Sequence, residues 1–325
     1  MADSSPTIEQ LSQQLRQAEL AGDPWKQGVA LNNLGSLHKE QRDTAKAMEF
    51  FQRALEFFTA LDEREKKAIV LTNLGGVYLD RREFQSALEQ FAMALGTYGS
   101  LNHVFGQGTA LNNMGGVHLA LRRFEDARKQ FILAASFFRS AQAPALEAQA
   151  LENLAAAEAG SGNLKVAIET YARSLEIWQK QDQNDRQAMV LNRIAALHLS
   201  TGDHRRALEL HSRALTLAQK ANNVALAAAT RSSLGQLYFA ARNFIAARTE
   251  FQAALISFEE SADKRGQAVA LMYLGKIDLA TGQDLLVLAA KMFTEAGDAA
   301  GQQEALGLLP ETAIPATAAT KNKLA

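Results

Sequence analysis

Five letters recur along this chain at a fixed interval. Leu31-Asn32-Asn33-Leu34-Gly35 returns as Leu71-Thr72-Asn73-Leu74-Gly75 and again, after an equal step, as Leu111-Asn112-Asn113-Met114-Gly115. Looser copies keep the interval at Leu151-Glu152-Asn153-Leu154-Ala155, Leu191-Asn192-Arg193-Ile194-Ala195, Arg231-Ser232-Ser233-Leu234-Gly235 and Leu271-Met272-Tyr273-Leu274-Gly275. A period of about 40 residues commits a chain to an array of small units, each burying its apolar face only against its neighbours. The 325 residues therefore read as one array, because arrays grow by adding units.

Each unit carries two helical patterns. In the first unit, Asp23 suits an N-cap and Pro24 a first helical turn, which predicts a helix over 24–40. Arg42-Asp43 marks a break, and its equivalents Gly162-Asn163, Gly202-Asp203 and Gly282-Gln283 are turn letters. A second helix then presents Ala47, Phe51, Ala54, Leu55 and Phe58, repeated as Ala87, Phe91, Ala94, Leu95 and Tyr98. The small residue at Ala47, Ala87, Ala127, Ala167, Ala207 and Ala247 lets helices approach, and an aromatic four places on fills the space beside it.

Three segments follow from this register. Residues 1–22 form an opening half-repeat helix with Leu11 and Leu15 at core positions. Residues 23–309 form about seven hairpins. Residues 310–325 are rich in Ala, Thr and Pro, lack periodicity and read as a disordered tail. Near the end the interval shortens, Gly266-Gln267 being echoed early by Gly301-Gln302. The last second helix is expected to have lost five residues, and a short helix over 299–309 to close the stack.

Composition removes several classes of function. Lys+Arg 34 against Asp+Glu 35 offers no domain-wide footprint for nucleic acid. Without cysteine there is no disulfide framework, thiolate metal site or thiol nucleophile. No run reaches the roughly 18 apolar residues of a membrane span and the first residues do not form a leader, so the expectation is a cytoplasmic protein without membrane insertion. No phosphate loop, H-E-x-x-H or G-x-S-x-G element is present, and the expectation is a non-enzyme without cofactor. His38, His118 and His198 occupy one core position in alternate units, too far apart to share a metal ion.

The spacing of Leu31, Leu34, Gly35, His38, Ala47, Phe51 and Ala54, and of Leu71, Leu74, Gly75, Tyr78, Ala87, Phe91 and Ala94, resembles the tetratricopeptide repeat. The unit here is longer than the usual repeat of about 34 residues, as in the subclass of kinesin light chains, Pins-type scaffolds and bacterial peptide-sensing regulators. The resemblance implies an all-α fold, a right-handed superhelical solenoid of antiparallel helix hairpins whose first helices line a concave face.

On that helix the residues off the core stripe form a row: Asn33, Asn73, Asn113 and Asn153, with Asn32 and Asn112 beside them. A carboxamide both donates and accepts, so such a row suits the backbone of an extended peptide, a role similar asparagines have in that subclass; the same residues also suit bonds between neighbouring helices. Further along, Asn192, Arg193 and Tyr273, with Met272, offer a mixed surface. Leu79, Leu119, Leu199, Phe239 and Leu279 recur at one place, either as an exposed apolar stripe or as packing onto the next repeat. Arginines collect near the turns, at Arg42, Arg81, Arg82, Arg122, Arg123, Arg205, Arg206 and Arg242, either as a basic edge or as cations late in a helix that favour its dipole. The expected function is a protein-interaction scaffold holding a peptide segment of another protein, with self-association possible; the alternative is a ligand- or peptide-responsive regulator.

Overall fold

The structure, a computed structural model, describes residues 6–278 and 282–309, without the side chains of residues 282 and 283. Among these residues there are sixteen helices and no strand: α1 (Ile8–Leu20), α2 (Pro24–Glu40), α3 (Thr44–Ala60), α4 (Arg64–Asp80), α5 (Phe84–Ser100), α6 (Val104–Ala120), α7 (Phe124–Ser140), α8 (Pro144–Gly160), α9 (Leu164–Lys180), α10 (Asn184–Ser200), α11 (His204–Lys220), α12 (Val224–Ala240), α13 (Phe244–Glu260), α14 (Lys264–Ile277), α15 (Gly282–Glu295) and α16 (Ala299–Gly307). The chain falls into two compact units, 1–174 and 175–325, divided inside α9.

From α2 to α13 every helix has the same length of 17 residues, and every connection between them has three. The three-residue connection has one geometry throughout. Its middle residue is left-handed, at Arg42 (φ 62°), Asp62 (52°), Arg82 (61°), Asn102 (52°) and so on to Ala262 (55°). The amide of Arg42 donates to the Lys39 carbonyl at 2.9 Å and that of Asp43 to the His38 carbonyl at 2.9 Å, the two closing bonds of a Schellman cap. In several connections, though not at Glu63, Glu83, Arg123, Ala143 or Gln183, the third residue also caps the next helix with its side chain: Asp43 Oδ1 accepts from the Lys46 amide at 3.2 Å and Asn243 Oδ1 from the Ala246 amide at 3.2 Å. That backbone bond is the first reason the Asp43 carboxyl sits below its usual range. Glycine adopts the left-handed conformation without cost, but among the described residues only Gly22, Gly162, Gly202 and Gly297 exploit it. Ala262, with no side-chain bond to lose, is the place to relieve the strain: Ala262→Gly is expected to raise stability by about 0.5–1 kcal/mol in urea unfolding.

First and second helices bury different amounts of their circumference. In unit 1, α4 lies between two second helices and buries Ala68, Val70, Leu71, Leu74, Gly75 and Val77, whereas α5 buries only the stripe Ala87, Phe91, Ala94 and Tyr98. The six alanines at the position of Ala47 are all fully buried, as are Phe51, Phe91, Phe131 and Phe251 four places on. In the amino-terminal core, Leu11 and Leu15 of α1 pack with Leu31 and Leu34 of α2, Phe51 of α3 and Leu74 of α4, so α1 covers the first hairpin as expected.

One position in the first helix is polar in a nearly apolar setting, held by His38, Tyr78, His118, Glu158, His198, Tyr238 and Asp278. Where it is acidic, the second helix before it supplies an arginine. Arg128 Nε lies 4.0 Å from Glu158 Oε1 in unit 1, and Arg248 Nη1 lies 3.4 Å from Asp278 Oδ2 in unit 2. Asn163 Nδ2 also donates to Glu158 Oε2 at 2.9 Å. Burial lowers the affinity of His118 for a proton.

Three expectations need correction. The shortening near the end is shared, since α14 and α15 each have 14 residues and both fall short of the helices before them. Gly282 accordingly opens α15 rather than lying in the turn. The arginines do not sit in last helical turns: Arg42, Arg82, Arg122 and Arg242 are the left-handed residues of connections, while Arg205 and Arg206 stand in the first turn of α11, where the helix dipole disfavours them. The tail over 310–325 and Leu279 lie outside the described residues.

Candidate functional site

In unit 1 the first helices α2, α4, α6 and α8 touch their successors directly, which lines up their polar faces. Asn73 Nδ2 donates to Asn32 Oδ1 at 2.9 Å, tying α4 to α2, and Asn153 Nδ2 donates to Asn112 Oδ1 at 3.1 Å, tying α8 to α6. Each bond joins neighbouring columns, one residue off the repeat. The intervening step lacks such a bond because Thr72 replaces the asparagine, and its hydroxyl donates to the Ala68 carbonyl at 2.8 Å. Asn33 is exposed and Asn113 half-buried, and neither makes a side-chain hydrogen bond among the described residues.

The two bonds fix the amides they use and leave others presented. Asn73 and Asn153 keep an Oδ1 acceptor, and Asn32 and Asn112 keep their Nδ2 donors. Residue 36 and its equivalents are small: Ser36, Gly76, Gly116 and Ala156. A methyl at Gly116 would meet nothing within 4 Å, whereas at Gly76 it would strike Lys39, whose Nζ lies 3.9 Å from Asp80 Oδ2. Glu152, in the column of Asn32 and Asn112, is buried and accepts from Ser174 Oγ at 3.3 Å.

The apolar stripe is uneven. Leu79 packs with Phe91 of its own hairpin and Val117 of the next, and Leu119 is half-buried. In unit 2, Leu199 is 38% exposed, while Phe239 meets Phe244 and Tyr273 edge-on at centroid distances of 5.5 and 5.4 Å.

The remaining sequence candidates also fall in unit 2. His211 stands where other repeats carry the buried aromatic, and its Nδ1 is 2.8 Å from Asn192 Oδ1. Asn192 Nδ2 donates to Thr230 Oγ1 at 2.7 Å, and that hydroxyl donates to the Leu226 carbonyl at 2.7 Å. Asn192 is thus a link among α10, α11 and α12. Burial pushes His211 down to about 4, so the ring is neutral and its Nδ1 carries the proton that Asn192 accepts. Arg193 is exposed. Tyr273 stacks on Phe251 at 4.8 Å and carries Lys276 Nζ 4.7 Å above its ring. Met272 is buried in the core rather than on the surface. Two asparagines of the row, Asn73 and Asn153, thus bond a neighbouring helix, one of the two roles the row suits, and asparagines standing one place off the repeat, as Asn32 and Asn73 do, are the signal for the offset pairs.

Among the described residues no group of three or more His, Asp or Glu side chains could hold a metal ion, and no helix is long and apolar enough to cross a membrane.

Helical hairpins of constant length, joined by constant turns and packed through an alanine and an aromatic ring, define a hairpin-repeat solenoid. A family model for the tetratricopeptide repeat matches residues 26–99 and 146–220. Both matched segments are tetratricopeptide repeats, and the fold of the chain is the tetratricopeptide solenoid.

Solved structures agree. Aspartyl phosphate phosphatase F from Bacillus subtilis is similar with a TM-score of 0.63 and 18% identity over 90% of this chain and 72% of that one. The Rap conjugation gene regulator of plasmid pLS20, in complex with a Phr peptide, gives 0.53 and 14% over 96% and 82%. A signal-transduction ATPase with a tetratricopeptide repeat sensor from Pyrococcus horikoshii gives 0.62 and 14% over 98% of this chain and 54% of that one. At these identities the likeness bears on fold. No curated protein sequence matches the chain.

Proposed function

We propose that the asparagine-bearing face of α2, α4, α6 and α8 binds the backbone of a peptide segment from another protein. One observation carries this reading: Asn73 and Asn153 are each held by a bond to the preceding repeat, so their remaining acceptors are oriented before any ligand arrives. Preorganised amides spend little entropy on binding. Asn33 and Asn113 add donors and acceptors of their own, and the small residues at Gly116 and Ala156 leave room for a main chain. The pLS20 regulator, a protein of this fold, is bound to a peptide; for this chain the argument rests on the asparagines. The protein is then a cytoplasmic interaction scaffold rather than an enzyme.

The test separates binding from packing. Peptides are selected on the immobilised protein from a displayed library and measured against Asn33→Ala/Asn113→Ala, which leaves both inter-repeat bonds intact. The double variant is expected to keep its thermal midpoint and lose at least tenfold in affinity, and N-methylating the peptide backbone is expected to cost as much. Equal affinity for parent and double variant sinks the proposal.

A further inference from the structure

One position in the second helices breaks its own rule. Leucine stands at Leu55, Leu95, Leu175, Leu215 and Leu255, and alanine at Ala135. The absent carbons leave a notch of about 170 Å³ among α7, α8 and the part of α9 in unit 1. Its floor is apolar, formed by Ala135 and by Leu151 and Leu154 of α8, all buried, and one wall is Ile132, 45% exposed.

The mouth of the notch is charged. Arg139 and Arg173 line it together with Ser136. Arg139 is fixed by two bonds from Nε and Nη2 to Glu147 Oε1, at 2.8 and 2.6 Å. Arg173 has no carboxylate within hydrogen-bonding or ion-pair reach among the described residues. Leu133, 48% exposed, extends the apolar surface beside Ile132.

Size and charge select the occupant. An apolar cavity of about 150 Å³ holds a benzene-sized group, whereas a drug-sized molecule needs roughly 300 Å³ or more. The notch therefore suits one side chain, and an unpaired guanidinium at its rim favours carboxylates next to that side chain. Anchor residues seated in such pockets dominate many protein interfaces.

We propose that the notch seats a single leucine- or phenylalanine-sized side chain of a partner protein, with acidic residues flanking it. The apolar group rests on Leu151 and Leu154, and a flanking carboxylate meets Arg173. This site is lined by α7, α8 and α9, its floor being Leu151 and Leu154 of α8, and uses none of the asparagines.

The probe is a fluorescent heptapeptide, Gly-Asp-Asp-Phe-Asp-Asp-Gly, compared with a version carrying Lys in place of Asp and one carrying Gly in place of Phe. The acidic phenylalanine peptide is expected to bind saturably and at least tenfold more tightly than either control. Ala135→Leu, which restores the residue of the other repeats, is expected to raise or preserve the thermal midpoint and weaken binding at least tenfold; Ala135→Val serves as a smaller plug should the leucine overpack. Arg173→Gln is expected to weaken binding severalfold and reduce its salt dependence. The proposal is overturned if the acidic peptide does not bind, if it binds the plugged variants as well as the parent, or if the glycine control binds equally.

Discussion

Gly75→Ala is expected to lower stability by about 2 kcal/mol, and Gly116→Ala to raise it by up to about 1 kcal/mol. Both glycines lie inside helices, where alanine is intrinsically favoured, so propensity alone gives the two substitutions the same sign. Packing reverses one of them. A methyl at Gly75 would lie 2.5 Å from Cε1 and 2.7 Å from Cδ1 of Phe91, a fully buried ring, while a methyl at Gly116 meets nothing within 4 Å. The same contact recurs at 2.7 Å between Gly35 and Phe51, 2.6 Å between Gly115 and Phe131 and 2.9 Å between Gly235 and Phe251. Where alanine occupies the position, at Ala155 and Ala195, the facing residue is Tyr171 or His211 and not phenylalanine. Urea unfolding of the two single variants checks the sign. Adding Phe91→Leu to Gly75→Ala should cost less than the sum of the separate changes, because the two residues share one space.

Lowering the pH from 7 to 4 is expected to remove about 3 kcal/mol from unit 2 through His211 alone. An unfolded histidine titrates near 6.5 and His211 in the fold at about 4, because burial penalises its charge. Between those values the unfolded chain binds more protons than the folded one, so the contribution is fully present above the window and is lost as pH falls through it. Protonation adds a second donor to a ring whose buried surroundings offer the Asn192 acceptor at Nδ1. His211→Tyr copies the pairing of Tyr171 with Ala155 and should flatten the dependence of the urea midpoint on pH across that window. A slope unchanged in that variant would assign the effect to other groups.

The helices, their order and the residues of the core are legible in the sequence because their cause is local and repeated. Alanine recurs at the place of Ala47 in six units and phenylalanine at the place of Phe51 in four of them, and in those four a glycine of the first helix faces the ring. The start of α2 follows from Asp23 and Pro24 in the same way. What escapes the sequence depends on two units at once. Asn73 bonds Asn32, which belongs to the neighbouring column, so reading down one column gives a row of asparagines and hides the pairs. Arg128 and Glu158 are complementary only because a second helix meets the next first helix at that height. The shortening of both α14 and α15 reads as a loss from one helix, since an interval between first helices says nothing of where between them residues are missing. Met272 falls in a column that Asn32 and Asn112 mark as polar, but at the end of the array the same face packs against α15 and α16 residues instead.

The uniform connection also bears on how such a chain changes length. Cutting after one connection and rejoining at the equivalent residue of the next unit restores the same left-handed residue, the same pair of closing amide bonds and the same helix start, as between Arg81-Arg82-Glu83 and Leu121-Arg122-Arg123. Whole hairpins can then be gained or lost without building a new junction, whereas one residue inserted within a helix rotates everything after it by about 100°. Change by whole hairpins is thereby favoured over insertion of single residues in the interior, and this chain's own departure from register lies in the hairpin of α14 and α15.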